Sequence, residues 1–292
     1  MDSSEKAILK TLLYADIFDF PLTEEEIYKY LISENKVSRE EITRVLKSNK
    51  LPIETSKHYF YLRDKKKLVE EREKKRIASA RKLKIAKGII QKISLIPTIQ
   101  FIGISGALSM ENSNKDDDID LFVVTQENFV WATRLLLVIL LTVFGVYRSR
   151  KTKNTSDKIC LNMILDKSNI AFGKKDQDLY TAHEIVQLLP IFDKGKTYEE
   201  FIKKNAWVNK FVPNFSITKN YKEYKNGFYD NLLIFLFRVL FLEKIAKFTQ
   251  LNYMKNHRTS EVIKDGFLKF HPFDYKAYVL RNYKRKIDKF KL

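Results

Sequence analysis

Apolar positions recur with helical period over residues 5 to 15, where Ile8, Leu9, Leu12 and Leu13 fall on one side. Phe20-Pro21-Leu22 interrupts that pattern, and Thr23 with Glu26 then supplies a capping box for a second helix running to Leu31. Ser38 and Glu41 repeat the device ahead of Ile42, Val45 and Leu46, which predicts a third short helix. After Pro52 the pattern changes. His58-Tyr59-Phe60-Tyr61-Leu62 reads as a strand, with Ile53 on its candidate partner.

Three short helices followed by a hairpin make a winged helix the natural fold for residues 1–64. Residues 65–96 mix charges of both signs with sparse apolar positions such as Leu68, Val69, Ile77 and Leu83, so they predict a long, partly exposed helical linker. Beyond Pro97, residues 97–175 alternate. Ile99 to Ile104 is a buried strand, Ser105-Gly106-Ala107 opens a short helix, and Ile119 to Thr125 is a second strand. An apolar helix over 128–147 and a third strand at Ile159 to Leu165 follow. That alternation predicts an α/β layer with a small mixed sheet. Residues 176–292 read as a C-terminal α-helical region, with helices at Thr181 to Leu189, Tyr198 to Val208 and Phe228 to Gln250, and helical stretches near 259–270 and 274–289. The expected class is α+β in three parts.

Composition narrows the partners. The chain has 292 residues, 54 Lys and Arg against 36 Asp and Glu, and a formal charge of +18, which favours polyanions such as nucleotides, nucleic acid or an acidic membrane surface. A single cysteine, Cys160, excludes an intrachain disulfide, reads as a core residue and fits a reducing, cytoplasmic setting. Asp2 and Glu5 stand where a signal peptide would be basic. Phe129 to Val146 and Asn231 to Leu242 are apolar enough to weigh as membrane segments. Arg134 and Arg238 interrupt them, and both are short against the ~20 residues of a span, so no span is expected.

Chemistry concentrates at Asp118-Ile119-Asp120. Along a strand successive side chains alternate, so the two carboxylates face one way while Ile119 and Leu121 enter the core. Two carboxylates that close call for a cation, and Mg2+ suits oxygen donors shared with phosphate. Gly106, at the start of the preceding short helix, leaves room for a phosphate beside the backbone.

These residues resemble the polymerase-beta-like nucleotidyltransferase superfamily, especially its minimal members: a strand, a Gly-Ser-type pair, a spacer of about ten residues and Asp-hydrophobic-Asp-hydrophobic. Ser105-Gly106-Ala107-Leu108-Ser109 and Asp118-Ile119-Asp120-Leu121 carry the resemblance, and the strand and helix order extends it over residues 97–166. The whole chain also resembles bacterial proteins that join a winged helix to such a domain and end in a helical region with a Phe-His-Pro segment, here Phe270-His271-Pro272. The resemblance implies that Asp118 and Asp120 hold Mg2+, that Ser105, Gly106 and Ser109 surround the triphosphate, and that a nucleoside monophosphate is transferred to an acceptor hydroxyl. A third carboxylate is expected on the next strand, where this chain has Asn162, with Asp157 and Asp166 at the strand's ends.

The acceptor stays open among a small molecule, a protein side chain and an RNA end. Different classes of function stay open as well: a nucleotide sensor without transfer, a purely protein-binding scaffold, or a nucleic-acid-binding regulator. In the last, Arg39, Arg44, Lys47 and Lys50 on the third helix would contact phosphates while Lys57 and His58 on the wing reach an adjacent groove. The four histidines, His58, His183, His257 and His271, lack metal-ligand spacing and read as structural or surface residues.

Overall fold

The computed structural model describes residues 1–217, 221–225, 227–255, 262–270 and 275–292. Its first part contains α1 (Ser3–Ala15), β1 (Leu22–Thr23), α2 (Glu24–Lys29), α3 (Arg39–Lys47), β2 (Ile53–Ser56) and β3 (Tyr59–Leu62). Thr23 and Glu26 form the full capping box at α2. Ser38 caps α3 by accepting from the Glu41 amide at 3.2 Å, whereas the Glu41 carboxylate pairs with Arg44. β3 lies at the centre of a three-stranded antiparallel sheet, with Leu22 opposite Phe60 and Ile53 opposite Leu62.

α4 (Lys67–Ile93) leads from this part to the main sheet. It is more than a solvated connector, because two of its cations are buried: Arg72 is 3% exposed and Lys82 is fully enclosed. The Arg72 guanidinium stacks 3.8 Å from the Phe20 ring, pairs with Glu26 of α2 at 2.8 Å, and donates to the carbonyls of Met110 and Glu111 at 2.8 and 3.0 Å. Lys82 donates to the Asp117 carbonyl at 2.6 Å and pairs with Asp157 at 3.0 Å. The loop that delivers Asp118 is thereby clamped to α4.

The remaining elements are β4 (Ile99–Ile104), α5 (Gly106–Ser109), β5 (Ile119–Thr125), α6 (Val130–Val143), β6 (Ile159–Asp166), α7 (Leu179–Val186), β7 (Leu189–Lys194), α8 (Thr197–Lys204), β8 (Lys222–Tyr224), α9 (Phe228–Val239), α10 (Leu242–Met254), β9 (Val262–Lys264), β10 (Phe267–Lys269) and α11 (Tyr275–Phe290). Seven strands form one mixed sheet in the order β8-β7-β4-β5-β6-β10-β9, with β5/β6 and β7/β8 parallel and the other pairs antiparallel. Ile102, Ile104, Leu121 and Val123 pack on α4, α6 and α10 on one face. Phe101, Phe122, Val124 and Leu165 pack on α7 and α8 on the other. α11 returns to the first part, where Tyr283 and Ile287 join the α1–α3 core and Lys286 pairs with Asp16.

The mixed α+β class is as expected, but the C-terminal region is not all helical. Four of the seven strands come from it, and the stretch near 259–270, expected to be helical, contributes the β9–β10 hairpin from Val262 onward. Their signals are weak for physical reasons. β7 contains Pro190, which argues against a sheet interior and here meets Gly103 where the β4/β7 register shifts. β8, β9 and β10 are three residues each. The single helix expected over 228–250 is two, broken where Phe241 adopts a left-handed backbone with φ 51°. Just past the break, the Glu243 carboxylate accepts from the Trp131 and Ala132 amides at 2.9 and 2.8 Å and so caps α6. No described helix is long and apolar enough to cross a membrane. His257, His271 and Pro272 lie outside the described residues.

Candidate functional site

Asp118, just ahead of β5, and Asp120 within it lie on the sheet face that carries Phe122 and Val124, toward α7. Parallel pairing sets Cys160 of β6 opposite Asp120, and ligand atoms of Asp118, Asp120 and Cys160 all lie within 4.8 Å of one another. The β4-to-α5 turn meets them from the side. Gly106 has a left-handed φ of 65°, and a Cβ built there would stand 2.8 Å from Asp120 Oδ2. Ser105 anchors the same turn by donating its amide to the Asp120 carbonyl at 3.0 Å. Glycine at 106 therefore answers both a backbone requirement and a close approach of the carboxylate.

A cavity of about 280 Å3 opens beside this cluster, lined by Ser105, Asn162, Tyr180, Glu184, Lys264, Lys269 and Lys276 among others. Asn162 is 3% exposed; its amide nitrogen donates to Ser105 Oγ at 3.0 Å, while its Oδ1 is buried with no hydrogen-bond partner among the described residues. A buried, unsatisfied acceptor on a cavity wall is an open docking point for a donor. Ser109 does not share in the site, since its hydroxyl donates back to the Gly106 carbonyl at 2.8 Å and it does not line the cavity.

Electrostatics set the tone. Burial, and next the neighbouring Asp118 carboxylate, push the Asp120 pKa up to about 7, with Cys160 and Arg148 opposing the rise. Burial and the two carboxylates push the Cys160 thiol up, so it stays protonated at neutral pH. The expected core cysteine is thus a half-buried member of the carboxylate cluster. Arg148 ion-pairs with Asp118. Glu184 on α7 is raised by burial, against the pull of Lys269 and a hydrogen bond from Tyr180.

The donor set fits a divalent, oxygen-preferring cation on Asp118 and Asp120, two carboxylates held together with the half-exposed Arg148 guanidinium as counter-charge. A protonated thiol is a poor ligand for Mg2+, so Cys160 adds little to such a site. The two strand-end carboxylates do not join it. Asp157 is engaged by Arg81 and Lys82, and Asp166 caps residues 167–169 by accepting from the Ser168 and Asn169 amides, both at 3.1 Å. Glu184, Arg148 and Cys160 were not anticipated as site residues. Cys160 had a legible signal, the parallel register with Asp120; the other two are brought in by tertiary folding alone.

The basic residues of α3 are disposed differently. Arg39 pairs with Glu25 and stacks 4.0 Å from the Tyr28 ring, Arg44 pairs with Glu41 at 2.5 Å, Lys50 lies 3.8 Å from Glu5, and Lys47 is exposed. With Glu40 and Glu41 in its first turn, α3 presents alternating charge rather than a basic stripe. Compared with known protein families, with curated proteins and with solved structures, the chain matches none.

Proposed function

We propose that the protein transfers a nucleoside monophosphate from a nucleoside triphosphate to an acceptor hydroxyl, with Asp118 and Asp120 as the metal-binding pair. The observation that carries this reading is the close approach of the Gly106 turn to the paired Asp118 and Asp120 carboxylates, with Ser105, the residue before that turn, lining a ligand-sized cavity that the carboxylates themselves do not line. A divalent cation such as Mg2+, when bound, supplies charge neutralisation to the triphosphate and the leaving pyrophosphate. The chain's own groups do the remaining work. Lys264 and Lys269 give the cavity positive groups for phosphate oxygens, Lys276 being paired with Asp178 at 2.5 Å, and Ser105 with the Oδ1 of Asn162, unpartnered among the described residues, fixes polar groups of the nucleotide. Glu184 accepts the proton of the acceptor hydroxyl. The hydroxyl oxygen then forms a bond to the α-phosphorus as the bond from that phosphorus to the bridging oxygen breaks, releasing pyrophosphate.

The helix, strand, helix, helix, hairpin order of residues 1–64 supports reading that part as a winged helix. Because Arg39 and Arg44 are already paired with acids, it is better suited to docking protein than to gripping nucleic acid.

A second reading has one specific observation behind it. Asn162 stands where a third carboxylate is expected and hydrogen-bonds Ser105, which suits retention of a nucleotide without transfer. Incubation with each radiolabelled nucleoside triphosphate and Mg2+, with cellular RNA and protein as acceptors, separates the two. Transfer that vanishes in Asp118→Ala/Asp120→Ala protein supports the enzyme. Binding without transfer supports the sensor, and no nucleotide binding at all sinks both.

A further inference from the structure

We infer that the α9–α10 hairpin docks the protein onto an anionic lipid bilayer, an inference independent of the chemistry proposed for the cavity. α9 is apolar nearly all round, yet Ile234 is its one buried residue among those whose side chains are described. Phe235, Val239, Leu240, Phe241, Ile245 and Phe248 are each more than half exposed, with Phe248 at 69%. A helix of this composition is ordinarily covered. Together these six leave several hundred Å2 of carbon in water, against ~300–600 Å2 for the largest patch on a typical monomer.

Charge identifies what covers it. The hairpin contains two acids, and both are turned away from the apolar face: Asp230 pairs with Lys194 at 3.1 Å and accepts from the Gly227 amide, and Glu243 caps α6. The charges left at the rim are positive. Arg238, Lys244 and Lys255 are exposed, with the Lys244 ammonium 5.2 Å from the Phe241 ring, whereas Lys247 is taken up by Asp265. An apolar face bordered by cations, with aromatic rings at the border, is the arrangement of helices that lie in a membrane interface. Twelve residues make α9 ~18 Å long, too short to span and suited to lying flat. A second copy is a poorer occupant, because a two-fold contact would bring Arg238 and Lys244 toward their own counterparts on chains that each carry +18.

The test is cosedimentation of the full chain with vesicles of phosphatidylglycerol and phosphatidylcholine in equal parts, and with vesicles of phosphatidylcholine alone. Both are run with wild type and with Phe235→Asp/Phe248→Asp, whose exposed positions leave folding intact by circular dichroism. The expected result is binding to the anionic vesicles that weakens about tenfold or more on neutral vesicles and about tenfold or more in the variant. Equal binding by the variant would mean that the general positive charge, not this face, holds the lipid, and would overturn the assignment. Absence of binding to anionic vesicles would overturn it too, as would a dimer in light scattering that the variant dissolves.

Discussion

His183 offers a stability test whose sign and size follow from its surroundings. It lies on α7, 2% exposed, stacked on the Tyr14 ring of α1 at 4.1 Å between centroids, with Tyr30 6.5 Å away. Gln187 Nε2 is 3.3 Å from the His183 Nδ1, and the His183 Nε2 has no hydrogen-bond partner among the described residues. Burial without a compensating charge lowers its pKa from 6.5 to about 3. Below pH 6.5 the unfolded chain therefore takes up a proton that the folded chain refuses, so this residue's contribution to stability falls as pH drops from 6.5 toward 3. Near pH 4.5 the unfolded imidazole is about two pH units below its pKa and the folded one still neutral, which removes about 3 kcal/mol relative to pH 7.5. His183→Phe keeps a ring against Tyr14 and cannot titrate. Urea unfolding of both proteins at the two pH values should show wild type losing about 3 kcal/mol more than the variant. Asp120, Glu184 and Asp193, which are also shifted, are present in both proteins and largely cancel in the comparison. Equal pH slopes would refute the assignment of a neutral, buried imidazole.

Gly106→Ala forces an L side chain into a left-handed backbone and against Asp120 Oδ2, so it should cost about 1–2 kcal/mol in urea unfolding and, on the proposed metal-binding reading, abolish Mn2+ binding read by electron paramagnetic resonance. Retained binding would separate the turn from the carboxylates. Arg72→Met keeps the packing on Phe20 but leaves Glu26 and two carbonyls without their donor. It should cost about 3 kcal/mol and speed amide hydrogen exchange in residues 111–117, and a loss below about 1 kcal/mol would contradict the clamp. Arg148→Gln frees Asp118 from its half-exposed ion pair, so on the proposed reading Mn2+ should bind about two- to fivefold more tightly; weaker binding would mean that the arginine supports the proposed site rather than competing with a metal there.

Local signals made the first part legible. Capping residues at Thr23 and Ser38 mark helix starts whatever the tertiary context, and the Ile53 and Tyr59–Leu62 runs are joined by a tight turn with Lys57 at φ 57°. The central strands were legible because β4, β5 and β6 are long apolar runs. The C-terminal strands are short edge pieces held by their neighbours, and the break at Phe241 has no glycine or proline to announce it. Among the candidate residues, the structure places Gly106 against Asp120 and Asn162 against Ser105, neighbours that a short strand-turn-strand segment and the next strand bring together. Glu184 and Arg148 arrive from other elements and carry no motif of their own.

The buried cations of α4 give a mixed-charge sequence a second meaning. Such a helix is expected to hold its charges in water, yet Arg72 reaches Glu26 on one side and the 110–111 carbonyls on the other, and Lys82 fixes the Asp117 carbonyl beside Asp157. Arg72 thereby joins α2 to the 110–111 backbone through three bonds from its two terminal nitrogens, and Lys82 joins the Asp117 carbonyl to the Asp157 carboxylate. The segment from Met110 to Asp117, most of it loop with little apolar content, is therefore held by charge-assisted bonds and by the Ser113 amide donating to Ser79 Oγ at 3.1 Å. Asp118 and Asp120 repel one another, and a pair of that kind persists only where the backbone on both sides is fixed. The strand pairing of β5 fixes one side and α4 fixes the other, which is why the positions of these carboxylates depend on a helix that shares no motif with them.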